Sequence, residues 1–382
     1  MLYRELGKTG QNVSVIGLGC EHLDRKPYEQ VKETIDAALL HGINIMDVFM
    51  PGTEVRENIA KALGNRRKQV MIQGSICSTD VNALYDISRE LSVVKKYFEN
   101  LLRIFGGYID FGMLFFIDSE HDYQLVFDTG IADYVEQLKR QGDIRHIGFS
   151  FHKPEIAIKI INTGVPEMIM FSINPAFDML PVDKYAFDHI DARFGAEFFR
   201  GLDPKRAELY KLCEQKQIGI TAMKSFGAGK LLSREYTPFA NALTVQQCIH
   251  YALSRPAVAS VLPGCQTRNE VLEVMRYFIA NDKEKDYTDI INIPRNDFRG
   301  QCVYCNHCQP CPSSIDIAAV NKYLDIASLD KDHVPSSIKS HYRNLAHQGY
   351  ECTSCGSCET RCPFEVTIID NMEKAEKLLG TK

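Results

Sequence analysis

The 382-residue chain predicts an α/β protein, a (β/α)8 barrel followed by a small, mainly α-helical, cysteine-rich domain. Three observations predict it. Eight short apolar runs recur before about residue 280, each followed by a stretch of helical pattern, as a (β/α)8 barrel requires. A polar stretch, residues 281–300, then interrupts the rhythm. Beyond it, eight of the 13 cysteines fall into two tight groups.

The runs, in order, are VSVIGLGC (13–20), INIM (43–46), VMIQG (70–74), FGMLFF (111–116), HIGFS (146–150), MIMFSI (168–173), IGITAM (218–223) and ASVLPG (259–264). The helical stretches between them carry their own punctuation. YEQVKETIDAALLHG spaces its apolar residues on one helical face and closes on Gly42. TRNEVLEVMRYF opens with Thr267 and Glu270 at capping-box spacing. Residues 178–203 exceed what a minimal barrel needs after its sixth run. The predicted organisation is a barrel over 1–285, a linker over 286–300 and a second domain over 301–382, with one or two short helices in 313–351.

Composition narrows the function. With 45% hydrophobic and 24% charged residues the chain is ordinary globular material. A net charge of -5 argues against nucleic acid or an anionic membrane as partner, since both demand a basic surface. No apolar run approaches a membrane span, and MLYRELGKTG has no apolar signal core, so a cytoplasmic protein is expected. Cys20, Cys77, Cys213, Cys248 and Cys265 lie scattered and read as small buried hydrophobes. The crowding of the other eight, in a reducing compartment, points to metal and away from disulfides.

Those eight sit in CVYCNHCQPCP (302–312) and CTSCGSCETRCP (352–363). The second group is C-x-x-C-x-x-C-x-x-x-C-P, the spacing of bacterial-type ferredoxins with 4Fe-4S clusters. Three thiolates two residues apart wrap three corners of one cubane, and the cysteine before proline ligates the other cluster. By that logic Cys302, Cys305, Cys308 and Cys362 hold one cluster, and Cys352, Cys355, Cys358 and Cys311 hold the other. The first group is one residue short, with only Gln309 and Pro310 between Cys308 and Cys311. Two zinc sites are the competing reading of the C-x-x-C pairs, although zinc has no use for two Cys-Pro endings.

Several barrel segments resemble the aldo-keto reductases: RELGKTGQNVSVIGLGC, HGINIMD, RIFGGYIDFGMLFF, QGDIRHIGFS and SVLPGCQTRNEVLEV, in that order. With its two-cluster tail the chain resembles the ferredoxin-fused branch of that superfamily. The resemblance implies a TIM barrel, NADP(H) bound extended at its C-terminal face, and a tetrad of Asp, Tyr, Lys and His in which Tyr donates the proton. Asp47 matches the tetrad Asp. The Tyr position, five residues on, is Gly52; the Lys position falls at Ser75 or its neighbours; the His position is Phe115.

Standard carbonyl reduction needs a positioned proton donor, worth about 10²–10⁴-fold, and neither Gly52 nor Phe115 can be one. Asp47 is then either catalytic or a structural carboxylate at the barrel mouth. Other groups at the C-terminal ends of the runs could substitute, namely Glu21, His22, Cys77, Asp118, His121, His152, Asn174 and Lys224. His152 and Lys224 are the acid/base candidates, against the plainer readings of a surface histidine and a structural or phosphate-binding lysine. For the nucleotide, SFGAGKLL brings Gly227 and Gly229, whose backbone can approach a pyrophosphate. LPGCQTRNE brings Pro263, Gly264 and a helix N-terminus. By resemblance Arg268 reaches an NADP 2′-phosphate, with simple capping and a solvated arginine as the alternative. Ser150 and Asn174 complete the cofactor-binding set.

The function expected is an iron–sulfur oxidoreductase acting on a small-molecule substrate, with a ferredoxin- or flavodoxin-type redox partner. The alternative is an electron-transfer or redox-sensing protein that uses the barrel as a scaffold. The difficulty of the first reading is stoichiometric, since nicotinamide moves two electrons as a hydride and each cluster moves one; a flavin or a radical-tolerant substrate would normally convert between them, and no flavin motif is recognisable.

Overall fold

A computed structural model describes residues 1–382 apart from 82–83, 180–202, 236, 238, 240, 289–299, 301, 303, 305–307, 329–330, 333, 335, 363 and 382. Most of the predicted linker and of the extra segment 178–203 thus lies outside the described residues.

The strands are β1 (Tyr3–Glu5), β2 (Asn12–Ser14), β3 (Leu18–Gly19), β4 (Ile45–Val48), β5 (Met71–Ile76), β6 (Ser78–Val81), β7 (Leu84–Ile87), β8 (Ile109–Leu114), β9 (Ile144–Phe151), β10 (Met168–Ser172), β11 (Gly219–Met223) and β12 (Val258–Val261). The helices are α1 (Tyr28–Leu40), α2 (Thr53–Leu63), α3 (Leu91–Ile104), α4 (Glu120–Asp128), α5 (Ile131–Gln141), α6 (Pro154–Asn162), α7 (Pro175–Met179), α8 (Pro204–Gln215), α9 (Val245–Leu253), α10 (Arg268–Met275), α11 (Asp282–Lys285), α12 (Ile317–Ala327), α13 (Ser336–Arg343), α14 (Ser357–Arg361) and α15 (Ile368–Leu379). Among the described residues no helix is long and apolar enough to cross a membrane. Two compact units share the chain. The first is Met1–Ile173, Ile218–Ser225 and Val258–Phe278; the second is Asn174–Gln217, Phe226–Ala257 and Ile279–Lys382.

The first unit holds a parallel sheet in the order β3-β4-β5-β8-β9-β10-β11-β12, and these eight strands coincide with the eight apolar runs. Its two edges meet. Ile16 bridges Val261 in parallel, Gly17 N donates to Val261 O at 2.8 Å, and Val261 N donates to Val15 O at 2.9 Å. Closure removes both sheet edges and makes the (β/α)8 barrel. Ile45, Phe111, Met113, Met168 and Met170 pack in its interior, and Leu6 and Val13 of the β1–β2 hairpin join the same core. A second hairpin, β6–β7, follows β5; its strands, STDV and LYDI, carry no continuous apolar run that would announce them in the sequence.

Packing is tight where β11 begins. A Cβ on Gly219 would lie 2.6 Å from Gly7 N and Leu6 C, both backbone atoms. Gly219→Ala is therefore expected to cost about 1–3 kcal/mol, read as a lower urea midpoint with unchanged slope.

In the second unit α12 buries Ile317, Val320 and Leu324, and α15 buries Ile368, Met372 and Ala375, the two helices packing together. Asn371 Nδ2 donates to Asn321 Oδ1 at 2.8 Å between them. Tyr342 of α13 donates to Glu376 Oε2 at 2.9 Å and accepts from Gly349 N at 2.8 Å, tying α13 to α15.

Candidate functional site

Barrel enzymes keep their chemistry at the C-terminal strand ends. Asp47, near the end of β4, lies in register with Gln73 of β5. The Gln73 Nε2 donates to Asp47 Oδ1 at 3.3 Å and also lies 3.5 Å from Met170 Sδ. Asp47 is only 6% exposed, and burial pushes its carboxyl up to about 7. The Gln73 hydrogen bond opposes that rise, Glu21 adds to it, and Lys224 opposes it again. Lys224 Nζ sits 3.7 Å from Glu21 Oε2. Its backbone is left-handed at φ 58, a conformation that costs a non-glycine residue about 1–3 kcal/mol and is held only where surroundings over-determine it.

So the buried acid has a lysine for company, delivered from β11. The positions where the resemblance asked for partners are filled otherwise. Gly52 caps α2, with a would-be Cβ against Val55 and Asp24. Ser75 is buried on β5, and its hydroxyl finds no hydrogen-bond partner among the described residues. Phe115 stacks on Phe49, centroids 5.4 Å apart, and contacts Phe116. An aromatic cluster of Phe49, Phe115 and Phe116 thus occupies the position where the resemblance asks for His. Gln73 is the residue the sequence alone did not point to; a glutamine inside the run VMIQG was the available signal.

A second constellation forms where β8 and β9 end. Asp118 Oδ1 accepts from the His152 backbone at 2.6 Å and from the Lys153 backbone at 3.1 Å, while Asp118 Oδ2 lies 2.6 Å from His152 Nδ1. Both side chains are buried, and the Phe116 ring lies 4.7 Å from the imidazole. Burial alone would raise the Asp118 carboxyl; the hydrogen bonds from His152 and Lys153 outweigh it and hold the group below the usual carboxylate range. A carboxylate on Nδ1 fixes that nitrogen as the donor and makes Nε2 the working nitrogen, the usual arrangement for a histidine acid/base.

Asp118→Asn should therefore destabilise the chain by about 1–3 kcal/mol. The stability at stake is present above the ordinary carboxylate pKa and fades as pH falls through the lower folded-state value. Urea melts should show the variant's deficit at pH 7 shrinking toward pH 3.

The predicted cofactor contacts divide between the units. In the first, Ser150 Oγ accepts from Phe116 N at 2.9 Å. Pro263 O accepts from Gly19 N at 2.9 Å, and Gly264 packs so closely on His22 that a Cβ would lie 2.6 Å from its Cδ2. Arg268 opens α10 behind Thr267, whose hydroxyl accepts from Glu270 N at 3.3 Å, while Glu270 Oε2 accepts from Gln266 N at 2.6 Å. In the second unit, Asn174 Oδ1 accepts from Phe177 N at 2.9 Å inside the turn of α7. Gly227 and Gly229 have φ of 56 and 85 in a turn closed by Lys230 N donating to Gly227 O.

The cysteine groups lie in the second unit, with Cys305 outside the described residues. Cys311, Cys352, Cys355 and Cys358 line one cavity, walled by Ile315, Ile317, Ile368 and Met372. Cys311 is placed by Gln309, whose side chain accepts from Cys311 N at 2.7 Å and donates to Ile315 O at 2.8 Å. Ser354 N donates to Cys352 Sγ at 3.4 Å. Hydrogen bonds from the backbone and side chain of Ser357 lower the Cys355 thiol, whereas burial raises that of Cys358. The two sequence groups also touch: Arg361, next to Cys362, donates through Nη2 to Cys308 O at 2.8 Å and Pro310 O at 2.6 Å. Among the described residues no three His, Cys, Asp or Glu side chains converge as ligands of a single metal ion would.

Comparison with known proteins places the barrel. The sequence profile of the Aldo/keto reductase family matches residues 15–247, more than half of the chain. The holo form of the aldo-keto reductase AKR11C1 from Bacillus halodurans superposes with a TM-score of 0.59 at 19% identity, over 77% of this chain and 96% of that one. Its apo form gives 0.53 at 20% identity with the same coverage. A candidate aldo-keto reductase from Pseudomonas aeruginosa gives 0.56 at 17% identity, over 72% of this chain and 94% of that one. At such identities the likeness concerns the fold. No curated protein matches the chain.

Proposed function

The chain belongs to the aldo/keto reductase family, and on that premise we propose that it is an iron–sulfur oxidoreductase acting on a small-molecule substrate in the barrel mouth. The observation that carries the proposal is the cavity shared by Cys311, Cys352, Cys355 and Cys358. Three of them come from one C-x-x-C-x-x-C run and the fourth from the other group, the ligand set expected for a 4Fe-4S cluster in a two-cluster protein. Isoleucines and Met372 form the apolar wall of that cavity, while Cys355 among its cysteines is exposed. Zinc would require its four ligands around one point, whereas a cubane takes its thiolates at four separate corners. Cys302, Cys305, Cys308 and Cys362 would hold a second cluster.

Bound clusters would supply single electrons at low potential. The chain's own part is to bind, orient and handle protons. The Asp47 carboxyl, held near neutrality by burial, can give a proton at Oδ2 while Gln73 holds Oδ1. Lys224, with Glu21 at 3.7 Å, lies in the same electrostatic field. His152, aligned by Asp118, is the second acid/base group. Phe49, Phe115 and Phe116 keep water away from this side of the barrel. NADP(H) remains the nucleotide proposed, with Ser150, Asn174, Gly227, Gly229, Pro263, Gly264 and Arg268 as its contacts, and a ferredoxin- or flavodoxin-type protein as the electron partner.

Anaerobic titration with NADPH and NADH tests the nucleotide half. Saturable binding of NADPH, weakened by Arg268→Ala, supports it. Absence of binding together with a full complement of iron would favour an electron-transfer protein with the barrel as scaffold; the Gly52, Ser75 and Phe115 replacements argue only against standard carbonyl reduction.

A further inference from the structure

The His152 imidazole is met by two groups from one short segment, the Phe116 ring at 4.7 Å and the Asp118 carboxylate at 2.6 Å from Nδ1. That segment is not an ordinary turn. Phe116 has a left-handed backbone at φ 55, a conformation that a non-glycine residue keeps only where its neighbours over-determine it. Its N–H is fixed by Ser150 Oγ at 2.9 Å, and the N–H of Ile117 by Ser150 O at 3.1 Å. Its carbonyl is fixed by Arg89.

Arg89 lies two residues past β7, where Ser88 N donates to Cys77 O at 3.1 Å and closes the hairpin on the end of β5. Its guanidinium donates through Nη1 to Phe115 O at 3.1 Å and through Nη2 to Phe116 O at 2.7 Å. Nε and Nη2 also reach Asp122 Oδ1, at 3.2 and 3.0 Å. The side chain is 7% exposed, and Asp122 answers its charge. One planar fork thus binds both ends of the segment 115–122, with Asp118 between them. A lysine, with a single ammonium on a flexible stem, cannot reproduce that geometry.

We propose that Arg89 is the positioning residue of His152: by clamping residues 115–122 it holds the Phe116 ring and the Asp118 carboxylate against the imidazole. Arg89 touches neither substrate nor cofactor in this role. The proposal rests on the reading of His152 as an acid/base group and is independent of the iron–sulfur centres. The β6–β7 hairpin becomes the support that delivers Arg89 to the barrel mouth.

The test is nuclear magnetic resonance of the full chain with isotope-labelled histidine, the His152 signal being the one lost in His152→Gln. In the natural protein the Phe116 ring current displaces that signal, and Phe116→Leu should abolish the displacement. Arg89→Met should abolish most of it, and Arg89→Lys should retain only part. Gly219→Ala, which disturbs packing at the start of β11, should leave the signal in place, so a general loss of stability does not mimic the effect. Should Arg89→Met fail to fold, Arg89→Lys decides alone. A natural His152 signal in folded Arg89→Met or Arg89→Lys, or no response to Phe116→Leu, would overturn the clamp. Undiminished turnover in His152→Gln would instead remove the acid/base reading on which the proposal rests, with the signal displacements unchanged.

Discussion

Asp47→Asn is expected to make the chain more stable than the natural protein above pH 7, by up to about 4 kcal/mol for a carboxyl displaced by about three pH units. The cause is burial at the end of β4, which lifts the Asp47 pKa from 3.8 to about 7. An acid whose folded-state pKa exceeds its unfolded one takes up a proton on folding between the two values. The natural protein therefore loses stability as pH rises from about 4 to about 7 and stays at the lower level beyond. Asparagine fills the same volume, can still accept from Gln73, and never ionises. Urea melts at pH 5 and pH 8 read the effect, with the advantage of the variant growing between them. The same variant should lose about 10²–10⁴-fold in turnover if Asp47 is the proton donor. A stabilised variant with undiminished activity would make Asp47 a structural residue.

The second large effect concerns which cysteines act together. Substituting Cys311 or Cys352 by Ser singly should lower iron from about eight to about four atoms per chain, one 4Fe-4S centre being lost. The double variant of Cys311 and Cys352 should lose no more than either single change, because both line the same cavity. The double variant of Cys311 and Cys302 should lose nearly all its iron. If each sequence group instead ligated its own cluster, the two doubles would exchange outcomes. The Arg361 contacts with Cys308 and Pro310 carry the same argument from the other side, since they bring the residue beside Cys362 to the first group. Iron and sulfide analysis separates the two schemes without any assay of activity.

How much of this was legible in the sequence depends on distance along the chain. The eight strands were, because each is a local apolar run bounded by turn residues. The Thr267–Glu270 cap was, because its partners lie three residues apart. Gly42, with φ 83, ends the first helical pattern as its position implied. The pairing of Asp118 with His152, 34 residues apart, was not; both were visible as candidates, but only strand order brings β8 beside β9. Gln73 was hidden because an amide in an apolar run announces burial without naming the acid it will meet. The bonding of Asp178 to Arg206 and Tyr251, drawn from α7, α8 and α9, carries no local pattern at all.

The central claim is that a family barrel stripped of most of its proton-transfer tetrad is joined to two iron–sulfur centres. Its most direct test is the iron and acid-labile sulfide content of the anaerobically purified full chain, with the electron paramagnetic resonance spectrum of the dithionite-reduced protein. The account predicts about eight iron and eight sulfide per chain, with signals of reduced 4Fe-4S centres. A chain that instead carried about two zinc ions and no labile sulfide would contradict it.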